Sequence, residues 1–322
     1  MAAQAMRSAV LVAPRRFELR EVPLPQPLPK QVRVRVEGCG VCGSNLSPWQ
    51  GRPWFRYPLP AGAPGHEAWG RVDLVGGEVR GIQVGDRVAG VSQCGFAEYD
   101  LFEESGVVVL PDKLDGEAVP AEPLGCAMNA FRRSRIRAGH TVAVVGIGFF
   151  GALLVSLATA VGARVIAVSR RPFSRHVARE MGADEALAFD DADLAERIFE
   201  LTSARGCDRV IEAIGNQEAL DLASQLTCLH GRLIIAGFHQ DGARQVDMLL
   251  WNWRGLDVVN AHERELAAQV EGMRSALAAM TRGDLHPAPL YTHRVPLERI
   301  DDAFSALESR DEGFVKGLVL AA

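Results

Sequence analysis

Hydrophobic and polar residues alternate along several short stretches in the first third of the chain. Residues 31–37 place valine at every second position with arginine between the valines, which is the period-2 pattern of a strand with one buried and one solvated face. The same pattern recurs between turns that contain glycine or proline, over residues 70–74, 87–91 and 96–101. Many short strands joined by such turns indicate a small β-barrel in this part of the chain.

The pattern changes near Leu114, where helices begin to alternate with apolar strands. Residues 117–137 have helical periodicity; after them strands are predicted at 141–145, 164–168, 208–212 and 231–236, and helices at 149–161, 173–181 and 217–227. This alternation predicts a parallel sheet covered by helices, so the fold class is α/β. The chain continues with a predicted strand at 251–261, a helix at 263–280 and, beyond His286, a strand–helix–strand segment ending at 314–320.

Residues 141–163 contain no charged side chain and are long enough to span a bilayer. A buried strand–turn–helix explains this run better, because Gly146, Gly148 and Gly151 interrupt it at the spacing of a nucleotide-binding loop. We therefore expect no membrane partner.

Composition narrows the class of protein. The chain has 322 residues, which favours two domains, and its net charge of −5 argues against a nucleic-acid or anionic membrane partner. Six cysteines in a chain of this length do not make a disulfide scaffold. With no long apolar region at the N-terminus, a cytoplasmic location is expected. Met6 could be the native start, which would make Met1 to Ala5 a poorly ordered lead-in.

A GxGxxG sequence occupies Gly146-Ile147-Gly148-Phe149-Phe150-Gly151. It follows a predicted strand and opens a predicted helix, as a dinucleotide-binding loop does. The first glycine permits the tight turn, the second lets the backbone approach a pyrophosphate, and the third permits close packing of the helix on the strand. The helix N-terminus adds free N–H groups and a positive dipole for phosphate. The alternative is a glycine turn in a buried βα unit that binds no ligand.

The turn after the next strand carries Ser169-Arg170-Arg171 and no carboxylate. NAD sites usually place Asp or Glu here for the ribose 2′-hydroxyl, whereas a nearby Arg accommodates the 2′-phosphate of NADP. Ser169 can donate a hydrogen bond, and Arg170 or Arg171, assisted by Arg175, can pair with the phosphate. This turn predicts a preference for NADP(H), with NAD(H) as the alternative cofactor; a solvated helix start is the other interpretation of the arginines.

Two short segments contain side chains that bind zinc, Gly40-Val41-Cys42-Gly43-Ser44-Asn45 and Gly65-His66-Glu67. Cys, His and Glu are all zinc ligands, and three protein ligands with an open position form the catalytic arrangement. Cys39 and Cys42 make a CxxC pair, but no second CxxC completes a four-sulfur site. We interpret Cys39 as a packed neighbour.

Taken together, these motifs resemble the zinc-containing medium-chain dehydrogenases, and among them the sorbitol, threonine and glucose dehydrogenase subgroup, over essentially the whole chain. The resemblance implies a GroES-like β-barrel catalytic domain at 1–116 and 263–322 and a Rossmann domain at 117–262. It implies Cys42, His66 and Glu67 as metal ligands and catalytic residues.

A Glu-Pro-Leu element precedes the nucleotide loop in the sorbitol-type subgroup. Here it is Glu122-Pro123-Leu124, 24 residues before Gly146. The resemblance therefore implies Glu122 as a further ligand, directly or through water. Cys126 could compete for that role, although a small buried residue is the plainer interpretation.

The chain departs from the family pattern at three places. The lobe of four closely spaced cysteines that holds a structural zinc in the family is absent, because Val91-Ser92-Gln93-Cys94 runs directly into Gly95; one zinc per subunit is therefore expected. Asn45 stands where the family usually has Asp, which keeps a hydrogen-bonding shape but loses a charge near the metal. Ser47 stands where a His is common, which leaves the proton relay to solvent open.

The reaction that the resemblance implies is hydride transfer between NADP(H) and a secondary alcohol, polyol or sugar-like small molecule, with zinc as the Lewis acid on the substrate oxygen. Ser44 would accept the alcohol proton. Lys316 resembles a basic residue near the pyrophosphate, with a surface lysine as the alternative. The nicotinamide would be lined by Gly237, Phe238 and His239.

The resemblance also implies a homodimer or homotetramer, in which the strand near 256–261 pairs across a two-fold axis. Trp251 and Trp253 are expected in the core or at the subunit interface. The substrate cleft would be bordered by Trp49, Trp54, Phe55 and Tyr57. The sequence leaves two other functions possible. One is a zinc-free reductase of the quinone reductase kind, and the other is a catalytically idle NADP-binding sensor.

Overall fold

The structure is a computed structural model that describes residues 4–321. The chain divides into two compact units, Met1–Gly125 with Glu265–Ala322, and Cys126–Arg264. The domain limits predicted from the sequence, after residues 116 and 262, stay a prediction. Of the suggested lead-in, residues 1–3 lie outside the described part, while Ala5 already begins a strand.

Within residues 4–321 the strands, in chain order, are β1 (Ala5–Ala13), β2 (Arg16–Pro23), β3 (Gln31–Val41), β4 (Ala68–Val75), β5 (Arg87–Gly90), β6 (Tyr99–Glu103), β7 (Val107–Val109), β8 (Thr141–Val145), β9 (Arg164–Ser169), β10 (Glu185–Ala188), β11 (Cys207–Glu212), β12 (Thr227–Ile235), β13 (Asp257–Asn260), β14 (His293–Pro296) and β15 (Gly317–Leu320). The helices are α1 (Leu46–Gln50), α2 (Ala121–Ser134), α3 (Phe149–Ala160), α4 (Pro172–Glu180), α5 (Leu194–Leu201), α6 (Gln217–Leu226), α7 (Met248–Arg254), α8 (Leu266–Arg282) and α9 (Ile300–Ser309).

The first unit is built around β3. Its sheet has the order β14-β15-β3-β4-β5-β7, and β6 also pairs with β3. The valines of the alternating stretch in β3 are buried, as the period-2 pattern predicts. They pack in a core whose aromatic centre holds Phe17, Trp49, Phe96 and Phe304, with neighbouring ring centroids 5.0–6.3 Å apart. Trp49 therefore belongs to this core, whereas we expected it to border the substrate cleft.

Strand pairing in this unit brings distant residues to one edge. Gly317 on β15 lies opposite Val41 on β3 in an antiparallel pair, so Lys316, just before β15, and Cys42, just after β3, lie at the same edge. Cys39 on β3 lies opposite Ala68 on β4, and the Gly40 N–H donates to the Glu67 carbonyl at 3.2 Å. The two predicted zinc-binding segments are thus joined by the register of β3 and β4.

The second unit contains a parallel six-stranded sheet of order β10-β9-β8-β11-β12-β13. β8 lies inside the sheet, is apolar and buried after Thr141, and leads through the glycine loop into α3. The α/β class is confirmed, and residues 141–163 form the expected strand, turn and helix. Within residues 4–321 no helix combines the length and apolar character needed to cross a bilayer. β10 and α5 were not predicted from the sequence.

The predicted strand at 251–261 is wrong over its first half. Asp247 accepts the Leu250 N–H at 2.9 Å and so caps α7, and Gly255 ends it in the left-handed region at φ +55°. Only Asp257–Asn260 is strand. Trp251 donates from Nε1 to Ser224 Oγ at 3.1 Å and packs on the core, whereas Trp253 is 82% exposed.

Candidate functional site

Cys42, His66 and Glu67 converge at the ends of β3 and β4. Each offers one ligand atom, and these atoms all lie within 4.8 Å of one another. Among residues 4–321 this is the one group of three or more His, Cys, Asp and Glu side chains found close enough to hold a metal ion. Thiolate, imidazole and carboxylate are a donor set that zinc accepts.

Glu67 is buried and ion-paired with Lys316. Lys316 Nζ donates to Glu67 Oε1 at 2.7 Å and lies 2.5 Å from Oε2. Gly40 makes room for this carboxylate, because a Cβ there would lie 1.9 Å from Glu67 Oε2. Lys316, expected near the pyrophosphate or on the surface, is instead buried against a candidate metal ligand.

The imidazole of His66 is oriented by the loop before it. Nδ1 lies 3.0 Å from the Pro64 carbonyl oxygen, which can only accept, so Nδ1 carries a hydrogen and the neutral ring presents Nε2 to a metal. Asn45 Nδ2 also donates to Pro64 O at 3.0 Å, and its Oδ1 accepts the Cys42 N–H at 2.9 Å. Asn45 thus ties the two ligand segments together by hydrogen bonds, without the charge of the family's Asp.

The cluster favours positive charge on His66. Burial lowers the pKa of His66, but the hydrogen bond with Cys42 and the charges of Cys42, Glu122 and Glu67 outweigh burial and raise it to about 10. Burial also lowers the pKa of Lys316, and the same three acidic neighbours, Glu67 first, raise it overall. A metal binding here therefore competes with a proton on His66.

The remaining residues predicted for this site lie around it. Glu122 is half-buried in the first turn of α2, and it lies outside the group of three converging ligands. Ser44 is half-buried in a single 3-10 turn, Gly43–Asn45, that begins beside Cys42. Cys39 is buried, and burial raises its pKa well above the ordinary thiol value, which agrees with a packed neighbour.

The glycine loop in the second unit has the geometry that its spacing predicts. Gly146 has φ +105° and a Cβ there would lie 2.4 Å from Ile214. A Cβ on Gly151 would lie 1.9 Å from the Gly146 carbonyl oxygen, whereas one on Gly148 would meet nothing within 4 Å. The space beside Gly148, at the N-terminus of α3, is where a pyrophosphate would approach the backbone. Phe149 is buried and Phe150 half-buried.

The turn after β9 differs from the expectation. Ser169 is buried, and Arg170 pairs with Glu218 and stacks on the Phe189 ring. Arg171 lies half-buried at the N-cap of α4, before Pro172. Sequence reasoning missed Glu218 because it comes from a different helix.

A polar clamp joins the loops that follow β11 and β12. Arg244 Nε donates to His239 Nδ1 at 2.8 Å, so His239 Nε2 carries the hydrogen and donates to Glu212 Oε2 at 2.9 Å. Glu212 is fully buried and accepts the Ile214 and Gly215 N–H groups on Oε1. Both ring nitrogens of His239 thus form hydrogen bonds within the protein. The ring therefore has a structural role beside the predicted nicotinamide position.

The neighbours of this clamp differ in exposure. A Cβ on Gly237 would lie 2.2 Å from Gly215 N, so the two loops touch there. Phe238 is 44% exposed, and its ring centroid lies 5.6 Å from that of His262. Phe238 therefore remains available to a ligand, and Gly237 serves loop packing.

Comparison with known proteins agrees with this geometry. Residues 28–160 match the family model described as alcohol dehydrogenase GroES-like domain, and residues 150–277 match that described as zinc-binding dehydrogenase. The chain is 30% identical over 253 residues to alcohol dehydrogenase notN of Aspergillus sp. (strain MF297-2), covering 68% of this chain and 72% of that protein. It is also 30% identical over 267 residues to a sorbitol dehydrogenase of Bacillus subtilis (strain 168), covering 73% and 75%.

A solved structure extends the match to the whole chain. A protein described as a zinc-binding dehydrogenase from Sinorhizobium meliloti 1021, bound to NADP, superposes with a TM-score of 0.87 at 27% identity, over 99% of this chain and 100% of that one. Fold and motifs together define a zinc-containing medium-chain dehydrogenase/reductase. The chain belongs to this family, in its branch of sorbitol- and threonine-dehydrogenase-like oxidoreductases.

Proposed function

We propose that this chain is a zinc-dependent oxidoreductase that transfers a hydride between NADP(H) and a secondary alcohol, polyol or sugar-like substrate and its carbonyl compound. The observation that carries the proposal is the convergence of Cys42, His66 and Glu67 within 4.8 Å. The relatives named alcohol dehydrogenase and sorbitol dehydrogenase support the substrate class.

Cys42 Sγ, His66 Nε2 and a carboxylate oxygen of Glu67 would hold one zinc per subunit, with Glu122 or water completing the tetrahedron. When bound, zinc supplies a Lewis acid that polarises the substrate oxygen. Lys316 balances the buried charge of Glu67 and fixes its carboxylate, while zinc would replace the proton that the cluster favours on His66.

The protein's own part in the reaction is to move a proton and to place the cofactor. Ser44 is half-buried next to Cys42 and would accept the alcohol proton and pass it outward, whereas Ser47 is only 6% exposed. The space beside Gly148 would take the pyrophosphate, and Phe238 would border the nicotinamide. Ser169, Arg170 and Arg171 would face the adenosine ribose and favour NADP(H), as the NADP-bound relative also suggests.

Zinc quantitation together with an activity screen tests the proposal. Protein purified with added zinc is expected to hold one zinc per chain and to reduce NADP with members of a polyol panel. Cys42→Ala should lose both zinc and turnover but keep its circular dichroism spectrum, because the core does not include the metal. Cys228→Ala, half-exposed on β12, is the matched control and should keep both.

The other outcomes separate the alternatives. Turnover without zinc indicates a reductase of the quinone reductase kind. NADP binding without any turnover indicates an idle sensor. Two zincs per chain, or zinc retained by Cys42→Ala, contradicts the proposed ligand set.

A further inference from the structure

An ion pair joins the segments that follow the two strands next to β8. Arg170 follows β9, and Glu218 lies in the first turn of α6, which follows β11. β9 and β11 are the two neighbours of β8 in the sheet, and β8 leads into residues 146–151. The bond from Arg170 Nη2 to Glu218 Oε2 therefore crosses the carboxyl edge of the sheet at the position where a Rossmann fold holds the adenosine of its dinucleotide.

Two further contacts hold Arg170 in place, one on its guanidinium and one on its backbone. Its Cζ lies 4.7 Å from the centroid of the Phe189 ring, a cation–π contact that fixes one face. Arg175 Nη1 donates to the carbonyl oxygens of Ser169 at 3.0 Å and Arg170 at 2.6 Å, which pins the backbone of the turn. The Glu218 carboxylate binds the Nη2 end of the same guanidinium.

We propose that Glu218 is a specificity-determining residue of the dinucleotide site: its carboxylate occupies the place on Arg170 that the 2′-phosphate of NADP takes, and it thereby limits the preference for NADP(H). The inference rests on the proposed function. Guanidinium binds carboxylate and phosphate with the same planar edge, so one anion can replace the other while Arg170 stays stacked on Phe189.

The exchange affects the two cofactors differently. NADP brings a 2′-phosphate with nearly two negative charges, which would displace Glu218 from Arg170 and then remain near the released carboxylate. NAD brings a neutral 2′-hydroxyl, which has no charge to exchange. Glu218 therefore opposes NADP(H) binding and leaves NAD(H) binding nearly unaffected.

The size of the effect follows from exposure. The side chains of Arg170 and Glu218 are 56% and 60% exposed, so water and salt screen their attraction and exposed pairs of this kind are weak. Removing Glu218 should therefore strengthen binding of the 2′-phosphate by about 2- to 5-fold.

Two small probes isolate the 2′-phosphate. Adenosine 2′,5′-bisphosphate and 5′-AMP differ only in that group, and their dissociation constants can be measured by calorimetry on the purified zinc-loaded protein without knowing the substrate. Glu218→Gln should raise the ratio of the 5′-AMP dissociation constant to the bisphosphate dissociation constant about 2- to 5-fold, with most of the change in the bisphosphate constant. Glu200→Gln removes the same charge from an exposed site on α5 and should leave the ratio unchanged.

A second background tests whether Glu218 acts through Arg170. In the Arg170→Ala background, the rise of the ratio caused by Glu218→Gln should be less than half of the rise in wild type, because the carboxylate no longer has a cation to bind. An equal gain in both backgrounds, or a ratio that moves only because 5′-AMP weakens, overturns the inference.

The wild-type ratio separates this inference from the proposed function. Wild type that binds 5′-AMP as tightly as the bisphosphate contradicts the NADP(H) preference, while a rise of the ratio in Glu218→Gln still supports the exchange. Wild type that prefers the bisphosphate, with the ratio unchanged in Glu218→Gln, overturns the exchange alone.

Discussion

Lys316 and Glu67 form a buried ion pair although they are 249 positions apart in the sequence. Their side chains are 5% and 0% exposed, so each charge depends on the other for compensation. A zinc ion on Glu67 would be a second cation on the same carboxylate. The two cations can therefore substitute for each other in stabilising the folded chain.

Replacing Lys316 by Met tests this substitution. Without metal the variant should lose about 3–5 kcal/mol of unfolding free energy, because removal of one partner leaves a buried charge uncompensated. Added zinc should recover more stability in the variant than it adds to wild type. Urea denaturation with chelator and with zinc measures both effects, and Lys30→Met, at an exposed site, should change stability by less than about 0.5 kcal/mol. An equal loss with and without zinc contradicts Glu67 as a ligand.

The raised pKa of Asp100 implies that the free energy of unfolding depends on pH. Burial raises its pKa from 3.8 to about 6, although the N–H groups of Cys94, Leu101 and Gln93 lower it in part. A carboxyl with a raised folded pKa binds more protons folded than unfolded, so its contribution is fully present below about pH 4 and is lost as pH rises through about 6. Relative to Asp100→Asn, wild type should lose up to about 3 kcal/mol between pH 4 and 7. Urea midpoints across that range measure the difference, and a constant difference contradicts the prediction.

The clamp of Glu212, His239 and Arg244 acts at the level of the two loops after β11 and β12. Arg244 also donates to the Gly215 carbonyl at 2.9 Å, so it binds both loops at once. These loops border the carboxyl edge of the sheet, where the nicotinamide is expected. Their rigidity depends on hydrogen bonds, since Phe238 is exposed and contributes little burial.

Arg244→Met should loosen these loops without unfolding the sheet. Amide hydrogen exchange should speed up over residues 213–216 and 236–245 and stay unchanged in β8 and α3, because local opening requires only the clamp to break. Exchange read by mass spectrometry shows this, and Arg205→Met, an exposed arginine of the same unit, is the control. Unchanged exchange in both loops would show that the clamp does not hold them.

The elements that the sequence predicted correctly are those whose signal is local. The alternation in β3, the apolar run of β8 and the spacing of Gly146, Gly148 and Gly151 each lie within one element or its turn. The strand predicted over residues 251–254 was wrong because the decisive signals lie at the ends of the helix, in the Asp247 cap and the Gly255 stop. β10 has only 4 residues, too few for a period to show.

At the scale of the whole chain, each site is completed by contacts between residues that are far apart in the sequence. The convergence of Cys42 with His66 was anticipated through resemblance, and the register of β3 against β4 now accounts for it. The Lys316–Glu67 pair depends on β15 adding to β3, and the Arg170–Glu218 pair depends on β9 and β11 flanking β8. Neither periodicity nor spacing in the sequence indicates which strands become neighbours in a sheet. The partners in these two ion pairs therefore could not be inferred from the sequence alone.

We also propose that whole chains associate into a homodimer or homotetramer. β13 ends the order of the parallel sheet, and an edge strand offers its backbone groups to a second copy. Beside it in the chain, α7 exposes Met248 by 52%, Leu249 by 77% and Trp253 by 82%. A cluster of exposed apolar side chains next to an edge strand is typical of a surface that another chain covers.

Charge on this surface should therefore break the assembly. Wild type at micromolar concentration is expected to show at least twice the mass of one chain by light scattering after gel filtration. Leu249→Glu combined with Trp253→Glu should shift that mass to a single chain, because burying two carboxylates in an interface costs more than the lost contacts alone. Val84→Glu, at a site 58% exposed in the first unit, should keep the wild-type mass. A monomeric wild type contradicts the assembly, and an unchanged mass in the double variant places the interface elsewhere than α7.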